Sequence, residues 1–351
     1  MEQARTSWLL ATALGSYFER HGAPSVPPNF ACVATDGSLV ASDRHGPLTF
    51  AIVNIGHCVL EYGARAHAQL GSEPTVLWRD DDLWIADGAR RIPVAGSALA
   101  VRRAVMELEA AWNLATKQDA PVVVLQDGTL IPWGLEGQLA PVVSWALERF
   151  GAALATFRER KIPVAGFISY PGSRDVLNVL RVAACDYPLE GRPVNCDDCT
   201  LRVQRGERQR ACRIVPELTD RWLFRHCDEV RLEAGERSGC YRSRSTILQH
   251  LPEPDRIVFF YLHTGTEVAR VEVPLWVAED EQVLALVHAV VWDQCRRARG
   301  YPLALQEAHE QAVIHQDQRR QIESLLDRLF AETGVVQERS AKERSKRVRF
   351  A

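Results

Sequence analysis

Hydrophobic and polar positions along this chain predict a mixed α/β protein. Short apolar runs separated by turn residues, at 48–55, 58–62, 75–78 and 83–86, predict an antiparallel meander of strands. Apolar positions at helical spacing predict helices at 6–21, about 96–116 and about 138–160. Because strands come first and then alternate with helices, we expect a mixed sheet covered by helices.

The second half of the chain has two parts with different patterns. A strand is predicted at 164–169, and two more at 257–263 and 267–273. Helices are predicted at about 280–297, 303–314 and 319–333. Between these segments, residues of about 185–255 are rich in Arg and show little periodicity, which predicts an inserted region.

Two strands of nearly the same pattern run into an Asp-Gly pair. Residues 31–39 and 122–130 are each an apolar run followed by Asp-Gly-Ser/Thr-Leu, with Asp36 and Asp127 at matching positions. We expect each strand to stop on its carboxylate. If the strands lie side by side, two like charges meet, and a divalent cation would remove that cost and supply a catalyst. The alternative is that both pairs are hairpin turns, as we predict for Asp87-Gly88.

A third carboxylate precedes the second of these strands. Glu107 and Glu109 flank the apolar stripe of the predicted helix on opposite sides, so only one of them can face a site beside the sheet. Three carboxylates would suit Mg²⁺ or Mn²⁺. The alternative is that both are solvated helix residues.

The predicted helix near residue 303 carries further candidate chemistry. Tyr301 and His309 are eight residues apart, which is about two helical turns, so they lie near one face. A histidine there could bind metal or move protons, although it could also be purely structural.

Composition narrows the class of protein. The 351 residues are 46% hydrophobic, enough for a large core. No apolar run is long enough to cross a bilayer and the N-terminus lacks a signal-peptide pattern, so we expect a cytoplasmic protein without a membrane partner. The net charge of −3 indicates that any nucleic acid is bound through local basic segments.

The Arg-rich region and the tail are the candidate basic segments. Arginines clustered with Trp222, Phe224 and Tyr241 could form a nucleic-acid groove in which bases stack on rings, although a solvated surface is the alternative. The tail at 336–351 is basic and predicted to be disordered, with a possible contact to nucleic acid or a partner.

Nine cysteines are spread from Cys32 to Cys295, which does not indicate a disulfide framework. Four of them have the spacing C-x10-C-x2-C-x12-C and could bind a zinc ion or a cluster, with reduced thiols as the alternative. These four are Cys185, Cys196, Cys199 and Cys212.

Taken in order along the chain, a series of short motifs resembles the NurA nuclease family. The resemblance covers about residues 30–320. Two positions depart from the family pattern, Thr35 where an apolar residue is frequent and Thr129 where Ser is usual. The motifs are Val33–Ser38, the helix with Glu107, Gln126–Leu130, Ser169–Ser173, Thr219–Phe224, Gly235–Ser238, Phe260–Leu262, Ala269–Pro274, Gly300–Pro302 and Glu307–Glu310.

The resemblance implies an RNase H-like core with an inserted Arg- and Cys-rich region and a helical C-terminal part, forming a single domain over 1–335. It implies Mn²⁺-dependent or Mg²⁺-dependent DNA cleavage with one or two ions, as a single-strand endonuclease and a 5′–3′ exonuclease. It also implies a homodimer that acts with the hexameric HerA helicase/translocase in the end resection of double-strand breaks. The implied catalytic residues are Asp36, Glu107 (with Glu109 as its rival), Asp127, Tyr301 and His309, all but Tyr301 as metal ligands.

Other functions remain open on the sequence. The chain could be a non-catalytic or regulatory subunit of a DNA-translocating motor, with phage defence as one role for such a complex, or a phosphatase or RNase on the same core. It has no Walker A sequence, so we do not expect it to hydrolyse ATP.

Overall fold

The computed structural model describes residues 4–42, 49–185, 193–207 and 209–333. The basic tail predicted at 336–351 lies outside the described residues. Within them, no helix combines the length and the apolar character needed to cross a membrane.

Strands and helices alternate through most of the described chain. The strands are β1 (Thr12–Ala13), β2 (Arg20–His21), β3 (Phe30–Ala41), β4 (Ala51–Tyr62), β5 (His67–Leu77), β6 (Trp84–Asp87), β7 (Arg90–Pro93), β8 (Val122–Asp127), β9 (Val164–Ile168), β10 (Arg237–Ser238), β11 (Tyr241–Arg242), β12 (Ile257–His263) and β13 (Val268–Pro274). The helices are α1 (Asp80–Leu83), α2 (Ser97–Ala115), α3 (Ala140–Glu159), α4 (Asp175–Ala183), α5 (Cys196–Gln204), α6 (Asp220–His226), α7 (Leu275–Glu279), α8 (Glu281–Arg297), α9 (Leu303–Ala312) and α10 (Gln316–Thr333).

One large mixed sheet organises the molecule. Its order is β1-β11-β12-β13-β9-β8-β3-β4-β5, with β10 and β2 attached beside β12. The strands β3, β4 and β5 are antiparallel, which confirms the predicted meander. Strand β8 is parallel to β3 and β9 is parallel to β8, and helices α2 and α3 precede these two strands. This is the mixed sheet flanked by helices that the sequence predicted.

The two faces of the sheet are buried under different helices. Along β3, Ala31 and Val33 face a core that includes α2 and α3. The intervening Cys32 and Ala34 face a second core, which includes α8 and α9. Because side chains of a strand alternate between faces, a strand buried on both sides must be apolar throughout, as the start of β3 is.

The structure corrects three predicted element boundaries. Strand β3 does not stop at Asp36 but continues to Ala41, because β4 pairs with it along its whole length. The hairpin-turn alternative for Asp36-Gly37 is therefore wrong, whereas Asp87-Gly88 does join β6 to β7. The strands predicted at 48–55 and 58–62 form the single strand β4 through Gly56.

The helix predicted at 6–21 is also wrong. Thr12–Ala13 pairs with β11, and Arg20–His21 pairs with β10. Leu10 and Ala11 of this segment are both buried. Pairing with distant strands satisfies the backbone of this segment, which local sequence could not reveal.

Rings of the Arg-rich region lie mostly in the interior. Tyr241 and Phe224 are buried in a third core beside α4 and α6, so the prediction that they stack on bases is wrong. Trp222 is exposed and packs beside His226. The basic sequence around Tyr241 and Phe224 suggests a binding surface, but both rings pack into the core beside Phe259 and Tyr261 of β12.

Helix α9 lies directly against the backbone of β4. A Cβ at Gly56 would collide with backbone atoms of Ala308 and Ala312, so only glycine permits this approach. At the end of the helix, Asn54 Nδ2 donates to the carbonyl of Ala312 at 2.9 Å and Ser38 Oγ donates to the same carbonyl at 2.5 Å. These contacts set the position of the helix that carries His309.

Candidate active site

The two aspartates that follow the matching strands lie side by side. In the parallel pair of β3 and β8, Thr35 is level with Gln126, so Asp36 and Asp127 occupy equivalent positions one residue further on. Strand β8 ends at Asp127, and Gly128 continues at φ 84° with its N–H bonded to the Phe167 carbonyl. The structure therefore brings these two carboxylates to one edge of the parallel strands.

Glu107, and not Glu109, faces this edge. Glu107 is 4% exposed, and its Oε2 accepts a hydrogen bond of 2.7 Å from Gln126 Nε2. Thr35 Oγ1 donates to the Glu107 carbonyl at 3.0 Å, which ties α2 to β3 at this residue. Glu109 is exposed and lines a groove with Arg149 instead.

Tyr301 and His309 reach the aspartates from the C-terminal part of the chain. The Tyr301 hydroxyl donates to Asp127 Oδ1 at 2.8 Å, and His309 Nδ1 lies 2.7 Å from Asp36 Oδ2. Because an ionised carboxylate can only accept, His309 donates from Nδ1 and Nε2 stays available. Tyr301 precedes helix α9, which begins at Leu303, so the two residues do not share a helix as predicted.

Burial is the largest influence on the ionisable groups Glu107 and Tyr301. Burial raises the pKa of Glu107 to about 7, the charges of Asp36 and Asp127 add to the rise, and Arg103 and Gln126 oppose it. Arg103 Nε lies 3.3 Å from Glu107 Oε1, and Arg103 also hydrogen-bonds the Gly37 carbonyl. Burial and the neighbouring Asp127 raise the pKa of Tyr301, so its hydroxyl stays protonated.

The donor chemistry of these residues fits a hard divalent cation. Glu107 Oε1 is buried without a hydrogen-bond donor among the described residues, although Arg103 is close. Carboxylate oxygens and imidazole nitrogen are ligands that Mn²⁺ and Mg²⁺ accept. As placed, Asp36 and Asp127 are paired with His309 and Tyr301, and no group of three acidic, His or Cys side chains in the described ranges is arranged to hold an ion.

Comparison with known protein families identifies the chain at this point. The model of the NurA domain matches residues 30–314, a range that includes all five candidate site residues. The chain belongs to the NurA family. It is therefore a nuclease of that family.

Other comparisons add little to this assignment. No curated protein matches the chain. Among solved structures, the crystal structure of A. aeolicus Argonaute aligns with 83% of this chain and 28% of its own, at 10% identity and a TM-score of 0.27. The NurA chain thus spans about a quarter of that protein's length, and a likeness this distant supports no conclusion about function.

A buried ionic network adjoins the site of this NurA chain and was missed in the sequence. Glu272 Oε2 accepts from Leu130 N at 2.8 Å and from Thr129 Oγ1 at 2.7 Å, immediately after Asp127. Arg270 pairs with Glu272 at 2.8 Å and with Asp175 at 3.2 Å. The signal was available, because Arg270 and Glu272 interrupt a strand that is otherwise apolar and fully buried.

An exposed ring also lies at this end of the NurA sheet. Tyr170, two residues beyond β9, is 66% exposed and has φ 50°, and the Arg221 guanidinium stacks on its face at 3.3 Å from the ring centroid. Asp127 is level with Phe167 of β9, so Tyr170 follows three residues after this position, just past the end of the neighbouring strand. The sequence placed Tyr170 within a family motif but assigned it no role.

Proposed function

We propose that this chain is a divalent-metal-dependent deoxyribonuclease that cuts single-stranded DNA and trims ends 5′ to 3′. The observation that carries the proposal is that Asp36 and Asp127 lie level on adjacent parallel strands, in contact with His309 and Tyr301, and close enough to Glu107 to raise its pKa. Asp36 and Asp127 come from the strands, Glu107 from α2, and Tyr301 and His309 from the C-terminal part. Membership of the NurA family supports the reaction class.

In this proposal Asp36, Glu107, Asp127 and His309 hold one or two Mn²⁺ or Mg²⁺ ions. Such ions lower the pKa of a bound water and stabilise charge on the leaving oxygen of a phosphodiester. The buried Glu107 and the partly buried Asp36 supply fixed negative charge, and Tyr301 orients Asp127 through its hydroxyl. The Asp127 side chain is exposed, so the substrate can approach this edge.

His309 would give one nitrogen to the ion. With Nδ1 donating to Asp36, only Nε2 is left to bind a metal, so this nitrogen would not also carry a proton of the reaction. The side chain is 58% exposed, so Nε2 is accessible to an ion. In hydrolysis of a phosphodiester the attacking water loses a proton and the leaving oxygen gains one, and water at this exposed edge would exchange these protons.

The substrate is a DNA strand delivered to this edge, and a HerA-type hexameric ATPase is the proposed partner in end resection. A net charge of −3 gives the chain no general attraction for DNA, which fits an enzyme supplied with its strand by a separate motor. Tyr170 with its stacked Arg221 offers a surface on which an unpaired base can stack. A homodimer is proposed from the family resemblance.

The deciding experiment is cleavage of 5′-labelled and 3′-labelled single-stranded DNA by the purified chain, with Mn²⁺ or with EDTA. We expect metal-dependent cleavage that falls at least ~10³-fold in Asp36→Asn, because a carboxylate that would hold the ion is lost. Asp87→Asn, in the exposed turn between β6 and β7, is the matched control and should cleave normally. The label pattern reports polarity.

Other outcomes would redirect the assignment. Cleavage retained in Asp36→Asn would exclude this site. Absence of cleavage in all proteins, also after addition of a HerA-type ATPase, would favour a non-catalytic subunit of a motor complex. Faster hydrolysis of RNA or of a small phosphomonoester than of DNA would favour the RNase or phosphatase alternatives.

A further inference from the structure

A second group of chemically capable side chains lines a cavity apart from the acidic site. Cys185, Cys196, Cys199 and Cys212 all line this cavity of about 210 Å³, and none of the five candidate catalytic residues does. All nine cysteines of the chain lie in the described residues, and none forms a disulfide. The structure thus gathers the four cysteines whose spacing was noted in the sequence.

Local structure places the four thiols from three directions. Cys196 and Cys199 lie three residues apart at the start of α5, so they share a face, and the Asn195 side chain caps this helix. Cys212 lies in a short 3₁₀ turn at Ala211–Ile214. Cys185 follows the end of α4.

The N-terminal segment is tied to the same place. Arg5 N donates to the Val194 carbonyl at 2.8 Å, and Cys196 N donates to the Arg5 carbonyl at 2.9 Å. Trp8, three residues after Arg5 in the sequence, forms part of the cavity wall. The cavity therefore lies where the N-terminal segment, α4 and α5 meet.

The four thiols line the same cavity, so their sulfurs lie in one part of the fold. Four converging thiols would repel one another if ionised alone, and a bound metal centre reverses that effect by stabilising thiolates.

Two cations in the cavity wall suit an anionic group. Arg181 is 6% exposed, and within the part of the chain that the structure describes its hydrogen bonds go to neutral acceptors, Asn178 Oδ1 and the Pro216 carbonyl. Arg210 also lines the cavity and donates to Thr200 Oγ1 at 3.2 Å. A buried guanidinium is costly without a counter-charge, and a metal centre held by four thiolates carries net negative charge that would supply it.

We propose that Cys185, Cys196, Cys199 and Cys212 bind a [4Fe–4S] cluster through their thiolates. Tetrathiolate coordination suits either zinc or an iron–sulfur cluster, so the size of the site discriminates. Zinc would draw all four sulfurs to ~2.3 Å from one ion. The described residues contain no group of three such ligands arranged around an ion, whereas all four cysteines line a cavity of about 210 Å³, which leaves room for a larger group.

The spacing of these sulfurs is more firmly set than that of the acidic site. A cysteine has one side-chain torsion, so the backbone largely determines where its sulfur lies. Exposed side chains such as Asp127 and His309 can turn onto an ion, but Cys199 is buried and held in helix α5. The cluster would join the N-terminal segment, α4 and α5 and stabilise this part of the fold.

The first test is elemental analysis of the full chain purified without oxygen. We expect about four iron and about four acid-labile sulfide per chain, the stoichiometry of the cluster, with a visible absorption band that bleaches on reduction. Resonance Raman spectra of the unaltered protein should show iron–thiolate stretching. About one zinc per chain without iron would overturn the cluster, and so would a protein without either metal.

Variants then test which residues bind it. Cys199→Ser should lose most of the iron, the visible band and several degrees of Tm. Cys227→Ser is the matched control, because this cysteine lies outside the cavity beside Glu229 and should retain iron in full. Full iron in Cys199→Ser, or equal loss in both variants, would contradict the assignment. If Cys199→Ser does not fold, the Raman spectrum of the unaltered protein still decides between cluster and no cluster.

Discussion

Two groups of acidic residues lie next to each other in this chain, and only one of them surrounds a buried cation. In the matched group, the carboxylates of Asp175 and Glu272 pair with the buried guanidinium of Arg270. In the unmatched group, at the edge of β3 and β8, Glu107 pairs with the half-exposed Arg103, while Asp36 and Asp127 contact His309 and Tyr301. The two groups adjoin at the end of β8. Asp127 belongs to the second group, and Glu272 of the first accepts hydrogen bonds from Thr129 and Leu130, just after Asp127.

The pKa directions express the same difference. Burial alone would lower the pKa of Arg270, but the charges of Glu272 and Asp175 raise it, so the ionised network is favourable. In the candidate site, burial and like charges raise the pKa of Glu107 to about 7. The matched group therefore suits a structural role. The unmatched group has less positive charge nearby, which suits a binding site for a cation.

The largest effect should come from breaking the matched group. Arg270→Met leaves Asp175 and Glu272 buried without their cation, so we expect a loss of about 3–5 kcal/mol in the free energy of unfolding. Urea denaturation monitored by circular dichroism measures it. Arg320→Met is the control, since Arg320 forms an exposed pair with Asp317 and should change stability by less than ~0.5 kcal/mol. A loss below ~1 kcal/mol for Arg270→Met would contradict the comparison.

Removing a charge from the unmatched group should increase the free energy of unfolding instead of lowering it. In EDTA, Glu107→Gln should become more stable than the unaltered protein as pH rises. The folded pKa is raised above the unfolded one, so ionisation of Glu107 costs stability progressively from pH ~4.5 to ~7, up to about 3 kcal/mol. Below this window the two proteins should be equally stable.

Denaturation at several pH values measures this difference, and Glu109→Gln is its control. Glu109 lies two residues away on the same helix but is exposed, so its variant should follow the unaltered protein at every pH. A stability difference for Glu107→Gln that does not change between pH 5 and 8 would show that the site is not short of positive charge.

A divalent cation should supply the missing charge. At a Mn²⁺ concentration of ~100 times the dissociation constant, the unaltered protein should gain about 2.7 kcal/mol in stability. Asp36→Asn should lose most of this gain, whereas Asp87→Asn should keep it. The measurement is the rise in Tm with Mn²⁺ concentration, which requires no substrate. An equal rise in all three proteins would place the ion elsewhere.

The smallest effect should come from the contacts that seat α9. Asn54→Ala removes the hydrogen bonds to the carbonyls of Gln311 and Ala312, so we expect a loss of about 1 kcal/mol in stability. Because this helix carries His309, cleavage should fall several-fold while the Mn²⁺-induced shift persists. Asn113→Ala, an exposed position on α2, should leave both unchanged. Unchanged cleavage in Asn54→Ala would mean that these contacts do not position His309.

The sequence predicted the site best where regular elements carry it. Asp36 and Asp127 could be paired because each follows an apolar strand of the same pattern, and parallel neighbours bring such positions together. The choice between Glu107 and Glu109 could not be made, since both flank the same apolar stripe and only the packing of α2 on β3 decides it.

Prediction failed where distant parts of the chain complete one another. Arginines close in sequence to Tyr241 and Phe224 favour a binding surface as one alternative, but both rings fill the core beside α4 and α6. Within residues 6–21, Thr12–Ala13 pairs with β11 and Arg20–His21 pairs with β10. Both partner strands lie more than 200 residues further along the sequence. Local pattern carries no information about a partner so remote.

By itself, the sequence determined the family of this protein, its mixed α/β class and the chemical types gathered at the candidate site. Hydrophobic periodicity and Asp-Gly strand ends are local properties, so they can be read directly. Only the tertiary structure decided which acids pair with the buried Arg270 and which of them pairs with Arg103. It alone gathered the four cysteines around one cavity. Charge balance and cavities depend on contacts between segments far apart in sequence, and no local pattern encodes those contacts.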